Sequence, residues 1–178
     1  MRVIAGKLKG RRLKTPTWDG LRPTSDKLRE TLFNILAPRI AGARVLDGYA
    51  GTGAVGIEAL SRGAAAVTFV ERDRRAQALI AENLAHCGVA DGYVIIRASV
   101  ARALAGLQGD PFDIMIFDPP YDEAADGLLA GAGEHLSAGG VLVVEHARRV
   151  ATPERAGRLR RSREVTSGDS ALAFYTDV

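Results

Sequence analysis

Two short segments carry residue types that could act chemically on one ligand. The first is Asp118-Pro119-Pro120-Tyr121, which follows the apolar run Ile114-Met-Ile-Phe117. Two prolines at the end of a strand make a stiff corner that lacks backbone N–H donors. The Asp118 carboxylate and the Pro119 carbonyl then face a ligand as acceptors, a composition suited to an –NH2 group, which brings two donors. An exocyclic amine on a nucleobase is a weak nucleophile because its lone pair is delocalised into the ring. Hydrogen bonds from its two N–H groups to Asp118 and Pro119 would favour a tetrahedral nitrogen and hold it in line with an electrophilic methyl group. Tyr121 is placed to stack on an unstacked base. Asp-Pro-Pro is also ordinary turn composition; it gains meaning from the residues upstream.

The second segment is Asp47-Gly-Tyr-Ala-Gly-Thr-Gly53, entered from the short apolar strand Val45-Leu46. Residues Gly51-Thr-Gly-Ala-Val-Gly56 match G-x-G-x-x-G, and Glu71 ends the next apolar run. After a strand and before a helix this is a dinucleotide fingerprint, so an NAD-dependent oxidoreductase is one reading. Asp47 argues against it. A dinucleotide lays a pyrophosphate over such a loop, and a carboxylate beneath would repel it. S-adenosylmethionine has no phosphate; it carries a sulfonium and an α-ammonium, which an acid attracts directly or through water. Glu71 suits either cofactor, since a carboxylate there can accept from both ribose hydroxyls. Asp47, Tyr49, Gly51, Gly53, Glu71, Arg72 and Asp118 form the candidate cofactor set, and Asp118, Pro119 and Tyr121 the candidate catalytic corner. A tight strand–helix turn with a capping acid is the plain alternative, because an isolated glycine motif is a weak signal.

The elements that must position these residues alternate from Arg44 onward. Strands are expected at Val45-Leu46, Ala66–Val70, Tyr93–Ile96, Phe112–Phe117 and Val141–Val144, with helices over Ala54–Arg62, Asp73 to about His86, 100–107 and 123–136. Two further strands over 158–177 flank a Gly168-Asp169 turn. Alternating β and α segments predict an α/β fold with a doubly wound, mostly parallel sheet, closed by an antiparallel C-terminal hairpin. Ligands in such sheets bind beyond the carboxyl ends of the strands. Ahead of this body, residues 1–23 form a separate basic extension; the short apolar–basic runs broken by Gly6 and Gly10 predict a β-hairpin. Residues 24–178 form the main domain, opening with a helix capped by Thr24 or Ser25 and ended by Pro38.

The chain of 178 residues is sized for one core. No apolar stretch is long enough to span a bilayer. Cys87 is the single cysteine and is expected to be a buried structural residue. The three histidines lack metal-ligand spacing, so no metal is expected. These features point to the cytoplasm. Residues 1–29 hold nine Lys/Arg and two Asp, a net +7, whereas the other 149 hold fifteen basic and nineteen acidic residues, a net −4. A second basic cluster comprises Arg148, Arg149, Arg155, Arg158, Arg160, Arg161 and Arg163. Two basic segments on a near-neutral body suggest a polyanionic partner.

Taken together, these residues resemble the bacterial small-subunit ribosomal RNA guanine-N2 methyltransferases. The similarity runs over most of the chain: Arg2-Val-Ile-Ala-Gly6, Gly10-Arg-Arg-Leu13, Arg22 to Leu36, Val45 to Ala64, Asp118-Pro-Pro-Tyr121 and Gly168-Asp-Ser-Ala-Leu172. The glycine loop and Asp-Pro-Pro-Tyr recur in many amino-methyltransferases; the Arg22-Pro-Thr-Ser-Asp26 segment with the basic N-terminus is more specific. The resemblance implies the class I methyltransferase fold, S-adenosyl-L-methionine as methyl donor, and a monomer. The implied reaction is methylation of the 2-amino group of guanine 966 in 16S ribosomal RNA, within a 30S particle. It also implies that Arg22, Pro23 and Thr24 lie near the catalytic face and bind the substrate; the basic charge of the extension adds the expectation that Lys7, Lys9, Arg11 and Arg12 contact the RNA. Ser99 stands where the family often has an Asp that contacts the adenine amino group. One charged hydrogen bond, worth roughly 1.5–3 kcal/mol, is then absent or taken over by a backbone carbonyl. The direct alternative is a DNA adenine-N6 methyltransferase, disfavoured because a chain of this length has no room for a separate target-recognition domain. A non-catalytic RNA-binding factor that kept the fold is a further reading.

Overall fold

A computed structural model describes residues 1–21, 24–120 and 125–178. The first helix, α1 (Asp26–Ile40), starts at Ser25, whose Oγ accepts from the Leu28 N–H at 3.2 Å. Its buried stripe is Leu28, Leu32, Phe33, Leu36 and Ile40, with Arg29 buried among them. Pro38 lies inside the helix rather than ending it. In the last turn a proline removes only one N–H, and two more residues continue on the helical path.

The strands and helices then alternate: β1 (Arg44–Gly48), α2 (Ala54–Ser61), β2 (Ala66–Val70), α3 (Arg74–His86), β3 (Tyr93–Ile96), α4 (Val100–Gly106), β4 (Phe112–Phe117), α5 (Ala125–Gly133) and β5 (Leu136–Ala147), followed by β6 (Arg155–Ala156), β7 (Leu159–Ser167) and β8 (Ser170–Asp177). They form one eight-stranded sheet in the order β3-β2-β1-β4-β5-β8-β7-β6. The first five are parallel neighbours, while β8, β7 and β6 add on antiparallel. The order reverses between β1 and β4, the place where doubly wound sheets open a ligand crevice.

Two apolar clusters cover the sheet. Val45, Ile114, Ile116, Val141 and Val143 pack on the side of α1, α2 and α3. Leu46, Met115, Phe117, Leu142 and Val144 pack on the side of α4 and α5. This strict alternation decides which residues at the strand ends face which side.

Three expectations about the elements are corrected. β5 begins at Leu136, five residues before the expected Val141. The strand runs through the Gly139-Gly140 pair, with a register shift against β4 between Phe112 and Ile114. The two-residue β6 has too little pattern to be visible beforehand. The N-terminal β-hairpin is short: around a single antiparallel bridge, Arg2 to Arg12, the Val3 N–H bonds the Arg11 carbonyl, the Gly10 N–H the Val3 carbonyl and the Leu13 N–H the Met1 carbonyl, at 2.9–3.1 Å. The donors between the paired ends go to α2 instead. The N–H groups of Ile4 and Ala5 bond the Glu58 carboxylate at 2.8 and 3.0 Å. Those of Lys7 and Leu8 bond the Ser61 carbonyl and hydroxyl at 2.8 and 2.9 Å. Gly6 permits this docking, because a Cβ there would lie 1.9 Å from the Ser61 carbonyl oxygen. The extension is therefore held on α2 by satisfied backbone groups. Its next stretch is held by buried Asn83, which accepts from the Lys14 N–H at 2.7 Å and donates to the Lys14 and Thr52 carbonyls.

Candidate active site above the strand ends

The loop after β1 is built from unusual backbone. Tyr49 has φ of 61°, an uncommon conformation for an aromatic residue, and Gly51 and Gly53 have φ of 57° and 80°. The two glycines adopt this left-handed path without a Cβ penalty; at Tyr49 the cost is about 1–3 kcal/mol. Gly53 caps α2, whose N-terminus points at the crevice. The Tyr49 ring stands edge-on to Phe117, with centroids 6.2 Å apart.

Three acids surround this loop. Asp47 is buried at the end of β1, and its Oδ2 accepts from the Gly56 N–H at 2.9 Å. Burial raises its carboxyl well above the usual carboxylate range, with Glu71 and Asp118 adding to the rise and the Gly56 bond opposing it. Glu71, just past β2, accepts from the Gly51 N–H and the Asp73 N–H, both at 2.9 Å. Asp118 follows β4, half-buried, on the same side of the sheet as Asp47 and Ile116. One cleft is lined by Tyr49, Gly51, Glu71, Arg72, Asp118 and Pro119, and it adjoins a deeper recess lined by Thr24, Asp47, Tyr49, Gly51, Asp118 and Glu145.

Of the expected cofactor residues, Asp47, Tyr49, Gly51, Glu71, Arg72 and Asp118 line this joined space, and Gly53 caps the helix behind it. Ser99 instead caps α4, its Oγ accepting from the Arg102 N–H at 3.3 Å. It is not among the residues lining the cleft. Pro119 lines the cleft; Tyr121, Arg22 and Pro23 lie outside the described residues. Thr24 lines the recess and donates its hydroxyl to Glu145 Oε2 at 3.3 Å.

Lys7, Lys9, Arg11 and Arg12 are exposed but do not line the cleft. Lys7 is anchored at Ser61, the far end of α2 from the crevice, about 12 Å along an eight-residue helix. The later basic cluster is divided. Arg158 and Arg161 are committed to Gly133, Leu136, Asp177, Thr152 and Glu164, whereas Arg148, Arg149, Arg155, Arg160 and Arg163 are exposed. His146 faces β7, with Nε2 3.7 Å from Glu164, and not the cleft. Cys87 is buried, and burial raises its thiol. Among the described residues no cluster of His, Cys, Asp or Glu could hold a metal, and no helix is long and apolar enough to cross a membrane.

Sequence reasoning missed two contributors to this site. Glu145 lies near the carboxyl end of β5 as Asp47 lies near that of β1, and Asp118 precedes the proline corner; its signal was an acid near the carboxyl end of a parallel strand. Leu21, whose side chain would lie 3.3 Å from a Cβ at Gly51, closes the loop from above; one leucine in an irregular segment carries no signal.

The cleft fits a cationic ligand better than an anionic one. Its acids include a buried carboxyl whose charged form the protein disfavours, so a nearby positive group would relieve that cost. Asp47→Asn should therefore stabilise the ligand-free protein at neutral pH, on the order of 1 kcal/mol, or about 2–4 °C in Tm for this size. Because the folded-state pKa is raised, the stability linked to Asp47 is fully present below the unfolded carboxylate's pKa. It is lost as pH rises through the raised value. The variant's advantage should widen with rising pH and vanish toward acid. Thermal unfolding between pH 4 and 8 checks this; an Asn variant no more stable than wild type at pH 8 would remove the buried-charge argument.

Sheet order, crevice and acid placement define a class I S-adenosylmethionine-dependent methyltransferase fold. A solved Escherichia coli structure, of the protein yhhF named as a methyltransferase, superposes with a TM-score of 0.84 at 33% identity, covering 99% of this chain and 97% of that one. The family model described as "Conserved hypothetical protein 95" matches residues 1–176. YlbH of Bacillus subtilis, assigned by name to the rRNA methyltransferases, is 39% identical over 98% of both chains. Ribosomal RNA small subunit methyltransferase D of Escherichia coli is 45% identical over 68% of this chain, an alignment that spans 60% of that relative. The chain belongs to this family, that of the ribosomal RNA small subunit methyltransferase D proteins.

Proposed function

We propose that this protein transfers a methyl group from S-adenosyl-L-methionine to the exocyclic N2 amine of a guanine in 16S ribosomal RNA, of the guanine 966 type. The observation that carries the reading is the placement of Asp118. It stands at the proline corner within the space shared by the positive-φ loop and Glu71. The relatives named for ribosomal RNA methylation support the substrate class.

Glu71 accepts from the ribose hydroxyls, and the loop from Asp47 to Gly53 leaves room for the amino-acid end. Bound there, the donor supplies an electrophilic methyl on a sulfonium. Asp118 and the Pro119 carbonyl accept from the two N2 hydrogens, draw the nitrogen toward tetrahedral geometry and aim its lone pair. Methylation would leave positive charge on the amine nitrogen. Asp118 stabilises that charge and takes up the departing proton, or relays it to water. Tyr121 is assigned the stacking role on the flipped base.

Tritiated methyl transfer to 30S particles, naked ribosomal RNA and duplex DNA tests the assignment. Label in ribosomal substrate, mapped by mass to a guanine, is expected. Label confined to DNA would move the assignment to adenine-N6 methylation. Neutralising Lys7, Lys9, Arg11 and Arg12 together should raise the KM for RNA and flatten its salt dependence, because each lost phosphate contact lowers the counterion slope by about 0.7–0.9. An unchanged slope would show that this patch, remote from the cleft, does not touch RNA.

A further inference from the structure

Near the carboxyl end of β5 stands an acid, Glu145, that the reaction as written does not use. Phe117 on β4 is in register with Val144 on β5, so the next residues, Asp118 just past the end of β4 and Glu145 still within β5, follow side by side. Val141 and Val143 share the core with Ile114 and Ile116, so Glu145 continues that alternation onto the side where Asp118 lies. On its other flank Glu145 is paired with Leu172 of β8. Thr24, just ahead of α1, donates to its Oε2 at 3.3 Å. Three elements thus hold Glu145 at the mouth of the recess, where it lines the same space as Asp118.

We propose that the Glu145 carboxylate accepts from N1–H of the target guanine and so selects guanine over adenine, an inference that rests on the amino-methylation reading above. Once Asp118 and the Pro119 carbonyl hold an exocyclic amine, the adjacent ring position decides which base is accepted. In guanine the neighbour of N2 is N1–H, a donor; in adenine the neighbour of N6 is N1 with a lone pair. An ionised carboxylate only accepts, and its two oxygens offer about four lone-pair directions. A guanine therefore presents a continuous row of donors to Asp118 and Glu145. An adenine sets a lone pair against a negative charge.

The test uses ribosomal RNA carrying either guanine or 2-aminopurine at the methylated position. 2-Aminopurine keeps the N2 amine but has a lone pair at N1. The wild-type enzyme should prefer guanine by about ten- to a hundredfold in kcat/KM, the usual discrimination of one matched base contact. Glu145→Gln should lower kcat/KM on guanine by a similar factor and shrink the guanine preference, since the glutamine amide offers N1 a donor. Binding of S-adenosylhomocysteine by the variant, followed by calorimetry, should match wild type and shows that the fold survives. Equal use of the two bases by wild type overturns the proposal, as does an equal loss on both bases in the variant. If wild type methylates guanine with either of these results, only the role of Glu145 falls. If it methylates no guanine at all, the functional reading falls with it.

Discussion

Asp118→Ala will lower methyl transfer to ribosomal RNA by about two to four orders of magnitude, the range supplied by a positioned acid–base group, while binding of S-adenosylhomocysteine survives. The two outcomes separate because Asp118 stands after β4, whereas the groups assigned to the ribose and the loop come from β1 and β2. Losing the carboxylate removes the acceptor that orients the amine and the group that takes its proton, and the alanine supplies neither. Single-turnover rates with saturating donor measure the chemical step, and calorimetry measures the product complex. An alanine variant with wild-type single-turnover rate would take Asp118 out of the reaction. Loss of product binding in parallel with rate would instead make it a cofactor residue.

The second large effect concerns stability. Glu58 and Arg29 are both fully buried, with Glu58 Oε2 3.9 Å from Arg29 Nε. Glu58 also pairs with Arg62 at 2.8 Å and receives the Ile4 and Ala5 N–H groups. Arg29 donates to the Arg2 carbonyl and to Asp26, while its Nε and Nη1 have no hydrogen-bond partner among the described residues. Glu58→Ala takes from the buried guanidinium its one fully buried counter-charge, leaving it the half-exposed Asp26, and strands the Ile4 and Ala5 N–H groups; together this costs about 3–5 kcal/mol. At roughly 2–4 °C per kcal/mol, Tm should fall by about 6–20 °C. Replacing both residues, Arg29→Met with Glu58→Ala, should recover part of the loss, because an apolar pair avoids the stranded charge. Recovery stays incomplete because Ile4 and Ala5 still lose an acceptor worth about 1 kcal/mol each. Thermal unfolding of the two single variants and the double variant forms the cycle. A Glu58→Ala variant within 1 kcal/mol of wild type would show that the pair does not anchor the extension.

What could be read in the chain by itself follows from local chemistry and periodicity. The apolar runs in β1, β2 and β4, the glycine loop and the proline corner each declare themselves within a few residues, because backbone conformation and burial on both faces of a parallel strand restrict composition locally. That was enough to place Asp47, Glu71 and Asp118 at strand ends and hence near one another. Pairings between distant segments were not legible. Glu58 and Arg29 look like ordinary helical charges, and only the packing of α1, α2 and the extension makes them an internal pair. The hairpin expected within residues 1–23 stays short for the same reason: the N–H groups of Ile4, Ala5 and Leu8 find acceptors on Glu58 and Ser61, 53 or 54 residues away. Glu145 becomes Asp118's neighbour only through the β4–β5 register. A sequence states which residues have the right chemistry and which way an element alternates; the tertiary structure decides which are brought within reach, because hydrogen bonding and burial are settled by partners in space rather than along the chain.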